Sequence, residues 1–269
     1  MHALAWSHTI AQMAGALKLH LYTTPFCWNL PSNSPACAKL ETWLRMAGVE
    51  YDKPALDLAR APKGKIPFVG EGEGDDEVLM GDSTLIIEHL RQTRGVDLDA
   101  ALSARDRAIS LAFRRMLKEN VYWAAVVSRY SSANNWALYG PILGAAIVPD
   151  GSAEVQMEAA EDYRKMILGT AHAHGLGRHS MDEIALIFKQ DVDALSELLG
   201  DNEWMMGGEE PTTLDATVFG YVGNFIDTPY SDPCCDYART LSNLDQLCER
   251  IRARYFPELV DVECPRPKS

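Results

Sequence analysis

The 269-residue sequence has no apolar run of about 18 residues, the length a helix needs to cross a bilayer, so no membrane span is expected. It is also short of positive charge. Lys and Arg number 25 against 38 Asp and Glu, a formal charge of -13, and such a surface repels phosphate backbones, which argues against nucleic acid as a partner. The six cysteines (27, 37, 234, 235, 248 and 264) are few and irregularly spaced for a chain of this size. They do not read as a disulfide framework, and a reducing, cytoplasmic location is the expectation. No Lys or Arg precedes the mildly apolar part of residues 1–17, so a secretory leader is not expected; Leu4, Ile10, Met13 and Leu17 would line one side of a helix that packs on the body or on a partner, plain disorder being the other reading. His172, His174 and His179 lack the four-residue helical spacing and the acidic or cysteine partner of a metal site, so no metal is expected.

What is present is a patterned chain long enough for two domains, with 47% hydrophobic and 23% charged residues. Leu17 to Thr23 alternates apolar and polar residues, the period of a half-buried strand. A turn-rich stretch follows, and then Ser34-Pro35-Ala36-Cys37 opens a helix: Ser34 is a natural N-cap and Pro35 is preorganised for the first helical position. Leu40, Trp43, Leu44 and Ala47 form its apolar stripe, and Gly48 ends it. Further strands are expected over Tyr51 to Leu58, Ile66 to Val69 and Glu77 to Met80, the last two as a hairpin. Asp82 or Ser83 caps the next helix, which ends near Gly95. This order predicts a thioredoxin-like α/β domain over 18–95, and a linker over 96–103 joins it to an all-helical domain over 104–269. In the second domain, helical patterns cover Ile109 to Val127, Ala153 to Ala173, Asp182 to Leu199, Leu214 to Ile226 and Leu241 to Tyr255. Ser180 with Glu183 reads as a capping box, and Thr212 with Asp215 repeats the signal.

Several of these runs occur together, in the same order, in a known family. Pro62-Lys63-Gly64-Lys65-Ile66-Pro67 followed by Asp82-Ser83 resembles the glutathione-binding signature of the glutathione transferase superfamily, and Thr212 to Asp215 resembles the helix-capping motif of its C-terminal domain. Within that superfamily the sequence is most similar to the failed-axon-connections or metaxin-like group, through Leu30 to Cys37, Leu40 to Gly48, Gly175 to Ser180 and Pro211 to Gly220. The resemblance spans roughly residues 18 to 257 and implies the glutathione transferase fold, glutathione as co-substrate, a small electrophile as second substrate, and a homodimer. It departs from the common pattern in one respect: Ser34 stands eleven positions after Thr23, the end of the first strand.

The chemistry the resemblance implies centres on Ser34. A thiol must ionise to act as a nucleophile. Lowering its pKa by about two units takes roughly 2.7 kcal/mol of preference for the thiolate, which one charge-assisted hydrogen bond of about 1.5 to 3 kcal/mol and a helix terminus together supply. Ser34 is the expected donor. A cis-proline at Pro67 would let the Ile66 backbone meet the cysteinyl unit, Asp82 and Ser83 would hold the γ-glutamyl end, and Lys65 would face the glycyl carboxylate. Against the negative average, Lys39, Lys63 and Lys65 are the cations to watch near an anionic peptide. Tyr122, Trp123 and Tyr130 are candidate walls for the second substrate, although aromatic residues on a long helix more often serve the core. Cys37 stands where a dithiol motif has its second cysteine, while Ser34 replaces the first and removes the attacking thiolate. Two other readings stay open: a binding or scaffolding protein that keeps the transferase architecture, and glutathione-linked thiol reduction through Cys37 or Cys27.

Overall fold

Alternation and helical periodicity translate into a small sheet followed by a helical body. A computed structural model describes residues 18–259. The expected helical extension over 1–17 lies outside the described residues, as does Cys264.

Three strands form an antiparallel sheet in the order β1 (Leu19–Tyr22), β2 (Phe68–Glu71), β3 (Val78–Gly81). Leu19 pairs with Glu71 and Tyr22 with Phe68, and Phe68 in turn pairs with Gly81. Helix α1 (Pro35–Met46) packs Leu40, Trp43 and Leu44 on the sheet with Ile86, Ile87 and Leu90 of α2 (Ser83–Arg94). One member of this core comes from far along the chain, the buried Ala216.

The strand expected over Tyr51 to Leu58 is not formed. A single parallel bridge, His20 to Asp52, remains, with Leu21 N–H donating to the Asp52 carbonyl at 2.8 Å and Asp52 N–H to that of Leu19 at 2.9 Å. The physical reason is local. Pro54 lacks a donor for the ladder, and Tyr51 and Lys53 turn to Glu41, whose buried carboxylate accepts from Tyr51 Oη at 3.0 Å and Lys53 Nζ at 2.9 Å.

The helical body begins with α3 (Ala104–Met116), capped by Ser103 and continuous through a π-helical turn at Leu117–Val121 into α4 (Tyr122–Ser131). Then come α5 (Ala133–Ile147), α6 (Ala153–His174), α7 (Met181–Leu199), α8 (Thr213–Ile226), α9 (Pro233–Ala238) and α10 (Ser242–Tyr255). Both expected capping boxes are present, at Ser180 with Glu183 and at Thr212 with Asp215. Every residue of α8 is buried, which makes it the axis of the molecule. It touches α1 so closely that a Cβ at Gly220 would come within 2.6 Å of the Lys39 backbone nitrogen and 2.7 Å of the Pro35 carbonyl oxygen. Across the same junction Trp43 Nε1 donates to Thr213 Oγ1 at 3.2 Å, and Asp99 accepts from Thr213 N–H at 2.9 Å. Among the described residues no helix is long and apolar enough to cross a membrane, and no cluster of His, Cys, Asp or Glu is arranged to hold a metal.

Candidate functional site

The long loop ahead of Ser34 is held by the helical body rather than by the sheet. Cys27 and Leu30 close a tight turn through reciprocal 3.1 Å backbone bonds, and Leu30 is fully buried in the helical core. Trp28 packs edge-on against Tyr230. Arg252, from α10, donates Nε to the Asn29 carbonyl at 3.1 Å while its guanidinium pairs with the buried Asp227. Arg129, from α4, donates to the Asn33 carbonyl at 2.7 Å and to Asn224 Oδ1 at 2.9 Å. Ser32 and Thr24 hydroxyls meet at 2.5 Å, and Ser32 Oγ accepts from Ser34 N–H at 3.0 Å.

The loop thus returns the chain to the start of α1 with Ser34 at its N-cap and half-exposed. Its hydroxyl takes no part in capping: no backbone N–H of the first turn is bonded to it. Instead it lies against the Cys37 thiol, as do the hydroxyls of Thr23 and Ser32. Cys37 has no solvent exposure, and burial pushes its thiol up despite those donors. Cys27 is likewise pushed up to about 11, chiefly by burial, with Arg129 and Asn33 opposing. Neither cysteine presents a thiolate at neutral pH.

The Ile66–Pro67 peptide is cis, as expected from the motif. Pro67 directly precedes Phe68, which pairs with Tyr22, while Thr23 directly follows Tyr22 and touches Cys37. The register therefore sets the proline bend beside the strand end that abuts the start of α1. Lys63 and Lys65 are exposed on the approach to it.

Asp82 caps α2 from an unusual backbone conformation, φ 81°. Its Oδ1 accepts from Thr84 N–H at 2.8 Å and Leu85 N–H at 3.3 Å, and Oδ2 takes Lys118 Nζ at 3.2 Å. Burial would raise this carboxyl, but those amides and Lys118 hold it below the usual range. Ser83 is buried beside it, and its Oγ accepts from Lys39 Nζ at 3.3 Å.

The three aromatic candidates part company. The Tyr122 phenol, half-buried, interacts with Cys37 and Arg129, and burial pushes it up. Trp123 stacks on His174 of α6 at 4.8 Å between centroids. Tyr130 is buried among Trp136, Tyr139 and Tyr163. Sequence reading missed Arg129, Arg114, Arg115 and Lys118, because cations on a long helix look like its solvated face; only the packing of α3 and α4 on the first domain buries Arg129 and sets Arg114, Lys118 and the exposed Arg115 around one cavity.

A thioredoxin-like half carrying a cis-proline, backed by a helical half, defines the class, and family models agree with it. The glutathione S-transferase N-terminal domain matches residues 35–135 and the glutathione S-transferase C-terminal domain residues 188–251. The chain belongs to the glutathione S-transferase family. It is 32% identical over 235 residues to the isoprene-epoxide glutathione S-transferase of Rhodococcus sp. strain AD45, which covers 85% of this chain and 95% of that protein. It is also 32% identical over 243 residues to failed axon connections of Drosophila melanogaster, covering 87% of this chain and 57% of that longer protein. Metaxin-3 of Xenopus laevis is 27% identical over 85% of this chain and 74% of its own length. Among solved structures, the beta-etherase LigF of Sphingobium sp. strain SYK-6 shares the fold with a TM-score of 0.59 at 16% identity, over 90% of this chain and 98% of that one. A glutathione S-transferase of Methylobacterium radiotolerans, in complex with glutathione sulfonate, gives 0.56 at 13% identity, over 94% and 97%.

Proposed function

We propose that the protein is a glutathione transferase in which the Ser34 hydroxyl donates to the glutathione sulfur and stabilises its thiolate. The observation that carries this reading is the Ser34 side chain: it stands at the N-terminus of α1, half-exposed, and is not spent on capping. The helix terminus favours negative charge at the same place. Ile66 offers its backbone to the cysteinyl unit, Ser83 and the start of α2 receive the γ-glutamyl end, and Lys65 faces the glycyl carboxylate. The thiolate then attacks a small electrophile beside Tyr122. An epoxide is the first class to test, given the relative that acts on one: the sulfur bonds to a ring carbon, the carbon–oxygen bond breaks, and the alkoxide takes a proton from water.

The test is glutathione titration followed by conjugation kinetics on wild type and Ser34→Ala. Loss of one charge-assisted hydrogen bond predicts a fall in kcat of about 10- to 100-fold with little change in glutathione affinity. Unchanged turnover would remove Ser34 from its assigned role.

The similarity to failed axon connections supports a second reading, a binding or scaffolding protein of the same architecture. Glutathione binding without conjugation of any epoxide, halide or enone would select it. Thiol reduction has the weakest support, since burial keeps both nearby cysteines protonated. The transferase reading includes a cytoplasmic homodimer, which sedimentation equilibrium and cell fractionation would check.

A further inference from the structure

Four cations converge where α1, α2, α3 and α8 meet, in a molecule that is otherwise strongly acidic. Lys39, Arg114, Arg115 and Lys118 line one small cavity with Thr84 and Tyr221. Two carboxylates answer them: Asp82 takes Lys118 at 3.2 Å, and Asp99 lies 4.0 Å from Arg114. Among the described residues the ammonium of Lys39 has no carboxylate in contact, Asp82 acting on it only as a nearby charge. It is 4% exposed and donates to two neutral hydroxyls, Ser83 Oγ at 3.3 Å and Thr84 Oγ1 at 3.1 Å. A buried ammonium held only by hydroxyls is costly, and an arriving anion would repay that cost.

The hydrogen bonds also set a direction. A serine hydroxyl that accepts from an ammonium keeps its own proton for a different acceptor. The Asp82 cap consumes the Thr84 and Leu85 amides, not that of Ser83. At the start of α2, Ser83 thus has both an N–H and an outward O–H to offer, with a cation behind them.

We infer that Lys39 is a positioning residue that makes this end of the site specific for a carboxylate, holding the Ser83 hydroxyl with its proton outward and supplying the charge against which the α-carboxylate of a γ-glutamyl group binds. The inference rests on the glutathione reading above and adds to it the residue that selects the peptide's γ-glutamyl end.

The groups that face Lys39 are Arg114, Arg115 and Lys118 from α3 and the turn after it, Asp82 from the α2 cap, and Tyr221 from α8. Burial lowers Arg114 from the ordinary guanidinium range, Asp82 is held below the carboxylate range, Lys118 is tied to Asp82, and burial pushes the Tyr221 phenol up. Burial first, and then Arg114, bring Lys39 down to about 7. Its charge is therefore what changes around neutrality, and a ligand carboxylate favours the charged form. Affinity should fall as pH rises through 7.

The experiment is calorimetric titration of the full chain with S-methylglutathione, whose blocked thiol cannot ionise, from pH 6 to 8. Wild-type affinity is expected to fall about tenfold over that range, as one deprotonation with a pKa near 7 requires. Lys39→Met is expected to bind about tenfold more weakly at pH 6 and to show no fall. Lys39→Arg, which does not titrate, is expected to hold its affinity at pH 8 and controls for the peptide's own amine. A flat wild-type profile, or Lys39→Met binding with wild-type affinity at pH 6, would overturn the inference and leave the transferase reading standing. No binding by wild type at any pH would sink both.

Discussion

Single side chains in this protein have definite partners, and the assignments explain what each can still do. Asp82 is consumed by capping and by Lys118, which leaves Ser83 for the recognition proposed at the α2 terminus. Ser34 is the reverse case, an N-cap residue by position whose hydroxyl is left over. Asp215 is a carboxylate with several partners. Fully buried, it accepts from Met205 N–H at 2.8 Å, from Thr212 N–H at 2.7 Å and from Thr212 Oγ1 at 2.8 Å, which ties the loop before α8 to its first turn. Asp215→Ala strands those donors in the interior and should cost about 2 to 4 kcal/mol. Urea denaturation would read this as a lower midpoint with an unchanged slope; a loss under 0.5 kcal/mol, roughly the scatter of surface substitutions, would refute the role.

At the level of elements, the sheet is small and its face is held by ionic clusters. Glu77 accepts from Tyr22 Oη at 2.9 Å, bonds His20 Nδ1 at 2.8 Å and pairs with Arg60. Burial pushes its carboxyl up, but His20, Arg60 and Tyr22 together hold it below the ordinary range. Glu71 behaves alike between His89 and Arg94. A carboxyl with a depressed folded pKa contributes stability above its unfolded pKa of about 4.3, and loses it as pH falls through the folded value. Thermal melts should therefore show the gap between wild type and Glu77→Gln closing as pH drops from 6 to 3. A gap that persists at pH 3 would show that the ion pairs are not its source.

Elements also differ in how much of them can be read from the chain. The Ser180 and Thr212 caps were legible because both partners sit within three residues of each other. Residues 51–58 looked like a strand by composition, yet Glu41 and Pro54 decide otherwise, and the reach of Glu41 to Tyr51 and Lys53 is a tertiary fact. Helix α5 was silent: Gly140, Pro141 and Gly144 look like breakers. In the fold Gly144 instead lets α5 lie against α6, where a Cβ would come within 2.4 Å of the Gln156 carbonyl oxygen. In the candidate site, the motif residues were legible as local patterns, whereas Lys39's meeting with Arg114, Arg115 and Lys118 depends on residues 75 to 79 positions further along the chain.

For the whole molecule, the junction between α1 and α8 matters most. Ala216 completes the core under the sheet, Leu30 enters the core of the helical half, and Gly220 lets the two helices touch backbone to backbone. The two halves should melt as one unit. Gly220→Ala is expected to push α1 off α8, to cost about 1 to 3 kcal/mol by overpacking, and to weaken glutathione binding along with stability, since Pro35 and Lys39 are the atoms displaced. Scanning calorimetry and titration on the same variant would check both. A single transition at the wild-type temperature with intact binding would contradict it.

The tethering of residues 27–33 to α4, α8 and α10 has an evolutionary corollary. Because Arg129, itself bonded to Asn224, and Arg252 hold the peptide segment that delivers Ser34, the hydroxyl's position is dictated by side chains 96 and 223 residues downstream of the carbonyls they hold. Chimeras that graft the front half of this protein onto a cousin's back half would inherit the serine but not its aim. Descendants can thus retune or silence the proposed reaction by drift in the rear helices alone, with every signature residue of the front half untouched.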